Sequence, residues 1–216
     1  MELEYKFYID ENRKLKDILK SNVWMQFTDK AWSKHKFVAR YYDDIEQSLG
    51  NKLIALRVRQ EDETFVLTIK APGSEEGEFS NRKEWNLNWE NKAPNLTIII
   101  TELADELPQH LIDIFRKLET SELSADMITD VNRYILIIET TKSKFELALD
   151  RGYLQGGILK ENIYELEIEL IEGDENELHK LAHLVKHEFN LSAGSQSKLH
   201  RCLRLKERSK HEFCKN

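Results

Sequence analysis

The chain has 216 residues, of which 40% are hydrophobic and 33% are charged, and its formal net charge is −7. This length suits one large domain or two small ones, and the charged share exceeds the roughly one quarter that is usual in soluble domains. An acidic chain is a poor candidate for nucleic-acid binding, which requires basic surfaces. The two cysteines are too few for a disulfide framework, and no apolar run is long enough to cross a bilayer. We therefore expect a cytoplasmic protein that binds neither nucleic acid nor membrane.

The first predicted element is a strand over residues 2–9, in which polar and apolar residues alternate. Because side chains in a strand point alternately to opposite faces, Glu2, Glu4 and Lys6 share one face. A helix is expected next, over residues 10–22.

The strands that follow carry basic residues on one face. Arg57 and Arg59 lie two positions apart in one strand, and Lys70 lies in the next strand, after a short hairpin. Arg82 and Glu84 then share a face of a further strand. Arginine donates paired hydrogen bonds to phosphate oxygens, so this set predicts an anion-binding site.

The middle of the chain alternates between loops and longer elements. We expect loops over residues 71–81 and 152–160, a helix over residues 104–118, and an apolar strand over residues 135–138 that Arg133 precedes.

Two later strands concentrate acidic residues at alternate positions. These residues are Glu146, Asp150, Glu165, Glu167 and Glu169. Glu165, Glu167 and Glu169, at alternate positions, would repel one another on a bare strand face. Carboxylate oxygens are the ligands that hard divalent cations prefer, so the acidic set indicates Mg²⁺ or Mn²⁺ binding.

Two helices are predicted near the C-terminus. The first covers residues 174–189 with Asp174 as its N-cap, and the second covers residues 195–206. Lys198 and Arg201 would share a face of the second helix, which could close one mouth of a barrel and add a lysine to the anion site.

Many strands and few helices indicate an α+β protein with an antiparallel sheet. The acidic and basic sets form one site if about eight strands close into a barrel with their polar faces inward and their apolar faces under helices. We expect residues 1–206 to form this single domain and residues 207–216 to form a C-terminal tail. The charge pattern thus predicts a barrel whose interior holds a metal–polyphosphate complex.

Several motifs in order along the chain resemble those of the CYTH, or triphosphate tunnel metalloenzyme, family. They are Glu2-Leu3-Glu4-Tyr5-Lys6 (ExExK), Tyr41-Tyr42-Asp43, Leu56-Arg57-Val58-Arg59 (LRxR), Thr68-Ile69-Lys70 (TxK), Arg82-Lys83-Glu84 (RxE), Glu146 to Gly152 (ExALDxG), Glu165 to Leu170 (ExExEL) and Ser197 to Arg201 (SKxxR). One such motif would be weak evidence, but the ordered set runs nearly end to end. Within the family, the chain is most similar to the CYTH module of bacterial inorganic triphosphatases.

The resemblance implies a role for each matching residue. The implied metal ligands are Glu2, Glu4, Asp150, Glu165, Glu167 and Glu169. The implied substrate-binding residues are Lys6, Arg57, Arg59, Lys70, Arg82, Arg133, Lys198 and Arg201. The residues expected to act most directly in catalysis are Glu4, Lys6, Arg59 and Glu167. Glu84 and Glu146 would orient basic neighbours or form buried ion pairs.

The expected activity is hydrolysis of inorganic triphosphate to pyrophosphate and phosphate, with two metal ions and an activated water, in a monomer or homodimer. Three alternatives stay open. A class IV adenylyl cyclase would use the same fold on ATP, and a non-catalytic module would only bind polyphosphate. A thiamine triphosphatase would need an aromatic platform, for which Trp24, Trp32, Trp85 and Trp89 are available.

His179, His183 and His187 are spaced four apart and would form one stripe on the helix after Asp174. Such a stripe could bind a transition metal, although a partly exposed helix face is the interpretation we favour.

Overall fold

The computed structural model describes residues 2–10 and 12–213. The strands are β1 (Glu2–Tyr8), β2 (Ser33–Asp43), β3 (Ala55–Glu61), β4 (Thr64–Glu76), β5 (Phe79–Trp89), β6 (Ser124–Glu139), β7 (Ser143–Gly156), β8 (Leu159–Gly173) and β9 (Ser192–Ala193). The helices are α1 (Asn12–Lys20), α2 (Leu96–Glu102), α3 (Gln109–Leu118), α4 (Glu175–Glu188) and α5 (Lys198–Phe213), with short 3₁₀ turns at Asn22–Gln26 and Gly50–Lys52.

The strands form one antiparallel sheet in the order β5-β4-β3-β2-β6-β7-β8-β1-β9, and an additional pairing of β1 with β5 closes it. Eight strands therefore form a barrel, and the two-residue strand β9 adds to β1. At the closure, Glu2 lies opposite Arg82, while on the other side of β1 Lys6 lies opposite Glu167. The predicted closed barrel is confirmed.

Helices cover the outer face of the barrel in two places. One apolar core joins α1 and α4 to β1, β7 and β8, with Phe7, Leu166 and Val185 at 0% exposure. A second core joins α2 and α3 to β3 and β4, with Leu67 and Phe115 also fully buried. Burial of each such side chain contributes about 1.5–3 kcal/mol. Because the apolar faces of the strands pack against these outer helices, the polar faces must line the interior of the barrel.

Helix α5 fills one end of the barrel from inside. Leu199, Cys202 and Leu205 pack against inward-facing apolar residues of β6, β7 and β8. Gly156 makes this contact possible, because a Cβ there would lie 2.1 Å from the Cys202 carbonyl oxygen. The predicted plug helix is thus present, and it brings its first residue, Lys198, into the barrel.

Several predicted boundaries differ from the structure. The helix expected over residues 104–118 begins only at Gln109, and α2 precedes it. Sequence patterns missed α2 because its run Leu-Thr-Ile-Ile-Ile-Thr-Glu is rich in β-branched residues, which favour strands. Asn95 nevertheless caps it by accepting a hydrogen bond from the Ile98 amide, and apolar packing stabilises it.

Other elements are longer or shorter than predicted. Helix α1 is shorter than its predicted range of residues 10–22. The predicted N-cap of α4, Asp174, is confirmed because its side chain accepts a hydrogen bond from the Asn176 amide. Strands β4, β5, β7 and β8 extend into the loops expected over residues 71–81 and 152–160.

Helix α5 runs through most of the predicted tail and ends at Phe213. The last three residues of that tail, 214–216, lie outside the described residues. Among the described residues, no helix is both long and apolar enough to cross a lipid bilayer.

Candidate functional site

The barrel encloses a cavity of about 470 Å³ whose walls are mainly charged. Most residues with a predicted site role line it: Glu2, Glu4, Lys6, Arg57, Arg59, Lys70, Arg82, Glu84, Arg133, Glu146, Glu167, Glu169 and Lys198. These residues come from seven of the eight barrel strands and from α5. The fold therefore gathers into one space side chains that are up to 196 positions apart in sequence (Glu2 to Lys198).

Three carboxylates of β7 and β8 converge at the plugged end. Asp150, Glu165 and Glu167 each offer an oxygen within 4.8 Å of the others, and we call them the inner cluster. The Lys198 ammonium lies among them, 3.1 Å from Asp150 Oδ2, 3.0 Å from Glu165 Oε2 and 2.7 Å from Glu167 Oε1. Arg133 donates to both Asp150 oxygens at 2.8 and 2.7 Å and to Glu167 Oε2 at 2.8 Å. The inner cluster is therefore already paired with cations of the protein.

The pKa values in this region reflect the pairing. Burial alone would raise the pKa of the Glu167 carboxyl, yet Lys198, Lys6 and Arg133 hold it well below its usual range. The pKa of Asp150 is likewise lowered, against its burial, by Arg133 and Lys198. Burial would lower the pKa of Lys198, but its three carboxylate partners raise it well above its ordinary value. All these groups are thus charged at neutral pH, and their charges offset one another.

Arg201 does not line the cavity. Its Nε donates to Glu161 Oε1 at 3.0 Å, it pairs with Glu165, and its guanidinium lies 5.5 Å from the Tyr8 ring centroid. The side chain therefore ties α5 to β8 and β1 instead of joining the substrate-facing residues. Sequence spacing predicts that Arg201 shares a helix face with Lys198, but in the structure its side chain contacts Glu161 and Glu165 on strand β8 of the barrel wall.

A second set of carboxylates faces the cavity from β1 and β8. We call Glu2, Glu4 and Glu169 the open cluster, since Glu4 lies directly opposite Glu169 in the sheet. Lys70 Nζ lies 2.6 and 2.7 Å from the Glu2 oxygens and is shared with Glu84 at 2.6 Å.

Cations balance the open cluster only in part. Lys6 Nζ lies 3.3 Å from Glu4 and 3.4 Å from Glu167, so its charge is divided between the two clusters. Among the described residues, none forms a hydrogen bond or ion pair with the side chain of Glu169. Lys70 is likewise divided between Glu2 and Glu84.

Two carboxyl groups of the open cluster have strongly raised pKa values, chiefly because they are buried. Burial, together with the neighbouring Glu2 and Glu4, raises the pKa of Glu169 to about 8. Burial and Glu4 raise the pKa of Glu2 to about 7, although Lys70 opposes the shift. Carboxylates that resist ionisation because burial and, to a lesser extent, neighbouring like charges oppose it are expected where a cation belongs.

The opposite wall of the cavity accumulates positive charge. Arg57 donates to Thr68 Oγ1 at 2.9 Å, while its Nε is buried with no hydrogen-bond partner among the described residues. Arg59 Nε donates to Glu61 Oε1 at 2.6 Å. Burial and the nearby Arg57 and Arg133 lower the pKa of Arg59 to about 10. Crowded guanidinium groups of this kind require an anion, and a phosphate chain can accept several of their hydrogen bonds at once.

Some cavity residues carried no prediction. Asn86 lies two positions after Glu84, so the strand period could have identified it; it donates to Glu84 at 2.9 Å and accepts from Thr68 at 2.7 Å. Leu53 and Ile171 also line the cavity although they are 52% and 48% exposed. Neither belongs to a charge pattern, so sequence patterns do not identify them as cavity residues.

The charged barrel is similar to known proteins. A family model for the CYTH domain matches residues 1–203. The chain belongs to the CYTH family. The motif resemblance seen in the sequence is thereby confirmed, and it covers nearly the whole chain.

Among curated relatives of this CYTH chain is an inorganic triphosphatase of Haemophilus influenzae, which is 31% identical over 161 residues. That match covers 74% of this chain and 43% of the relative, so the chain spans less than half of the relative's length.

Solved structures share the fold at low identity. A putative adenylyl cyclase from Hippeastrum, described as having a dominant triphosphatase activity, superposes with a TM-score of 0.63 at 17% identity, covering 94% of this chain and 96% of that one. A putative adenylate cyclase from Bacillus halodurans gives a TM-score of 0.54 at 17% identity, covering 93% and 96%. At this identity the likeness establishes the CYTH barrel architecture.

Proposed function

We propose that the chain hydrolyses inorganic triphosphate to pyrophosphate and phosphate with the help of divalent cations. The observation that carries this proposal is the cavity itself, where the open cluster of carboxylates faces a crowded arginine wall. A metal–triphosphate complex satisfies both walls, because it presents cations to one and phosphate oxygens to the other. The names of the Haemophilus and Hippeastrum relatives support a triphosphatase, each for its own protein.

The arginine wall would bind the triphosphate chain. Arg57, Arg59 and Arg133 offer fork-shaped donors, and Lys6 and Lys198 add ammonium groups nearer the carboxylates. In phosphoryl transfer, negative charge spreads over the phosphoryl oxygens, and catalysis depends on donors that are already in position. The buried, unpaired Arg57 Nε is one such donor.

The residues of the open cluster fit a hard divalent cation such as Mg²⁺ or Mn²⁺. Their donor atoms are all carboxylate oxygens, and Glu169 has no cationic partner among the described residues. A bound ion of this kind would neutralise phosphate oxygens and make a water easier to deprotonate. Glu2, Glu4 and Glu169 would hold it.

The inner cluster would have a different task. Asp150, Glu165 and Glu167 hold Lys198 and Arg133 at fixed positions beside the cavity, at distances of 2.7–3.1 Å. We expect these carboxylates chiefly to orient the cations that meet the substrate. Arg201 would assist by anchoring α5, and with it Lys198, to the barrel wall.

The decisive test is phosphate release by the purified chain from tripolyphosphate, ATP and thiamine triphosphate, each with Mg²⁺, Mn²⁺ or EDTA. We expect cation-dependent release from tripolyphosphate and little from the two organic substrates. The variant Arg59→Ala should lose most of the activity, whereas Arg40→Ala is the matched control, because Arg40 does not line the cavity. Full activity of Arg59→Ala, or release that EDTA does not reduce, would contradict the proposal.

The same assay separates the alternatives. Conversion of ATP to cyclic AMP without phosphate release would indicate a cyclase, for which the apolar Leu53 and Ile171 at the cavity could contact the nucleoside. Binding of tripolyphosphate without any product would indicate a non-catalytic polyphosphate-binding module.

A further inference from the structure

Two histidines on helix α4 converge outside the barrel. His183 and His187 are one helical turn apart and exposed, and their Nε2 atoms form a hydrogen bond of 3.1 Å, with ring centroids 4.3 Å apart. The opposite face of α4 is buried in the core through Leu178, Ala182 and Val185. The two rings therefore project from the solvent side of a helix that packing holds in place.

The separation of the two nitrogens matches that of two ligands on one metal ion. Imidazole nitrogen binds Zn²⁺ and similar ions at about 2.0–2.1 Å, which places two such ligands about 2.9–3.4 Å apart for angles from a right angle to tetrahedral. The observed 3.1 Å lies inside this range. We propose that His183 and His187 form a binding site for a divalent transition-metal ion such as Cu²⁺, Ni²⁺ or Zn²⁺.

The site is chemically distinct from the tunnel. Imidazole suits Cu²⁺, Ni²⁺ and Zn²⁺, whereas the carboxylates of the open cluster suit Mg²⁺ and Mn²⁺. Among the described residues, the only group of three or more converging ligands is the inner cluster, so no third side chain joins the two histidines. The proposed site therefore has two protein ligands, and water molecules would fill the remaining coordination positions. Water-filled positions are accessible because both rings are exposed.

His179 belongs to the same helical stripe but is engaged elsewhere. Its Nδ1 lies 2.8 Å from the Tyr5 hydroxyl, and its Nε2 lies 3.5 Å from Glu175. Its ring is packed against Tyr5 and Phe79. The stripe therefore divides into one histidine that packs against β1 and two histidines whose Nε2 atoms face each other.

A bound ion would join the last two turns of α4. This end of the helix leads through Leu191 to β9, which pairs with β1 beside Phe7. An ion that binds only the folded chain stabilises it by mass action. The melting temperature should therefore rise with added Ni²⁺ or Cu²⁺ and depend on both histidines.

The test uses the full chain without an affinity tag. Cu²⁺ is added at one equivalent in the presence of excess Mg²⁺, which competes at carboxylates, and the electron paramagnetic resonance spectrum is recorded. We expect nitrogen couplings from two imidazoles and retention of the chain on immobilised Ni²⁺. The variants His183→Gln and His187→Gln should each lose the two-nitrogen spectrum, the retention and the thermal shift.

Matched controls are His179→Gln, from the same stripe, and His110→Gln, an exposed histidine on α3. Both should keep the two-nitrogen spectrum. The proposal would be overturned by an unchanged paramagnetic resonance spectrum in the double variant that carries both His183→Gln and His187→Gln. A wild-type spectrum without couplings from two imidazole nitrogens would also overturn it. Tripolyphosphate hydrolysis plays no part in this readout, so the result is independent of the proposed function.

Discussion

The inner and open clusters place the same type of side chain on the same wall of one barrel, yet they differ in charge balance. Asp150, Glu165 and Glu167 contact four cations, namely Arg133, Lys198, Arg201 and Lys6, of which Arg201 is shared with Glu161 and Lys6 with Glu4. The open cluster shares Lys70 and Lys6 with other acids. Convergence of carboxylates and uncompensated charge therefore point to different clusters as the metal site, and we propose that the uncompensated charge is the better guide.

The two clusters also illustrate two uses of a buried acid. A carboxylate with a full set of partners holds cations in place, and removing it leaves them buried and unpaired. A buried carboxylate that lacks cationic partners has a raised pKa, and its ionised form can be stabilised by an external cation. Geometry alone selects the inner cluster as the metal site. We instead propose the open cluster as the metal site, because Lys198 already lies among the inner carboxylates.

The largest expected effect is on catalysis. Glu4→Gln removes a carboxylate of the open cluster while preserving side-chain size, and we expect kcat to fall by about 10²-fold or more, the range seen when one preorganised stabilising group is removed. Circular dichroism should show an intact fold. Hydrolysis of tripolyphosphate at the wild-type rate would show that the open cluster does not serve the reaction.

A large effect on stability is expected in the inner cluster. Glu165 is fully buried and contacts Lys198 and Arg201, so Glu165→Gln leaves two buried cations short of a partner. Breaking a buried pair in this way costs about 3–5 kcal/mol in the free energy of unfolding. Urea denaturation measures this loss, with the exposed Glu188→Gln on α4 as the control. Equal stability of the two variants would mean that the ion pairs of Glu165 contribute nothing.

A smaller effect is expected when the inner cluster loses its resident cation. Lys198→Ala leaves Asp150, Glu165 and Glu167 without the ammonium that lies among them, and these carboxylates should then accept a divalent cation. We expect Mn²⁺ titration to reveal one additional bound ion, whereas Lys210→Ala, an exposed change on the same helix, should not. An unchanged number of Mn²⁺ sites would show that Lys198 does not exclude metal.

The smallest expected effect is a pH dependence of metal stabilisation. The folded-state pKa of Glu169, about 8, exceeds its ordinary value of 4.5, so the stability that its proton provides is complete below about 4.5 and is lost as the pH rises through about 8. Under the proposed function, a divalent cation would replace that proton. The melting-temperature difference between Mg²⁺ and EDTA should therefore widen from pH 5 to pH 8, and a constant difference would contradict the assignment.

The sequence predicted the barrel because its evidence is local and repeated. Alternation of charged and apolar residues fixes which face of each strand is polar, and the polar faces of β1, β3 and β8 could only be satisfied together inside a closed sheet. The plug helix followed from Lys198 and Arg201 in one short segment. Helix α2 was missed because tertiary packing overrides the strand preference of its residues.

The division between the two clusters could not be predicted from the sequence. Glu165 and Glu169 belong to one alternating run and look equivalent there. Their difference arises because Lys198 and Arg201 approach from a helix more than 25 residues later in the sequence, and because the closing strand β5 brings its own acid, Glu84, to Lys70. Such pairings depend on the tertiary structure, which motif spacing does not specify.

The most direct test of the charge-balance account is Mn²⁺ binding to the substrate-free chain, measured by calorimetry for two variants of matched size. Glu169→Gln removes an unpaired carboxylate from the open cluster, and Asp150→Asn removes a paired one from the inner cluster. We predict that Glu169→Gln loses most of the Mn²⁺ affinity, whereas Asp150→Asn retains it. Loss of binding in Asp150→Asn with wild-type binding in Glu169→Gln would contradict the account and place the first metal in the inner cluster.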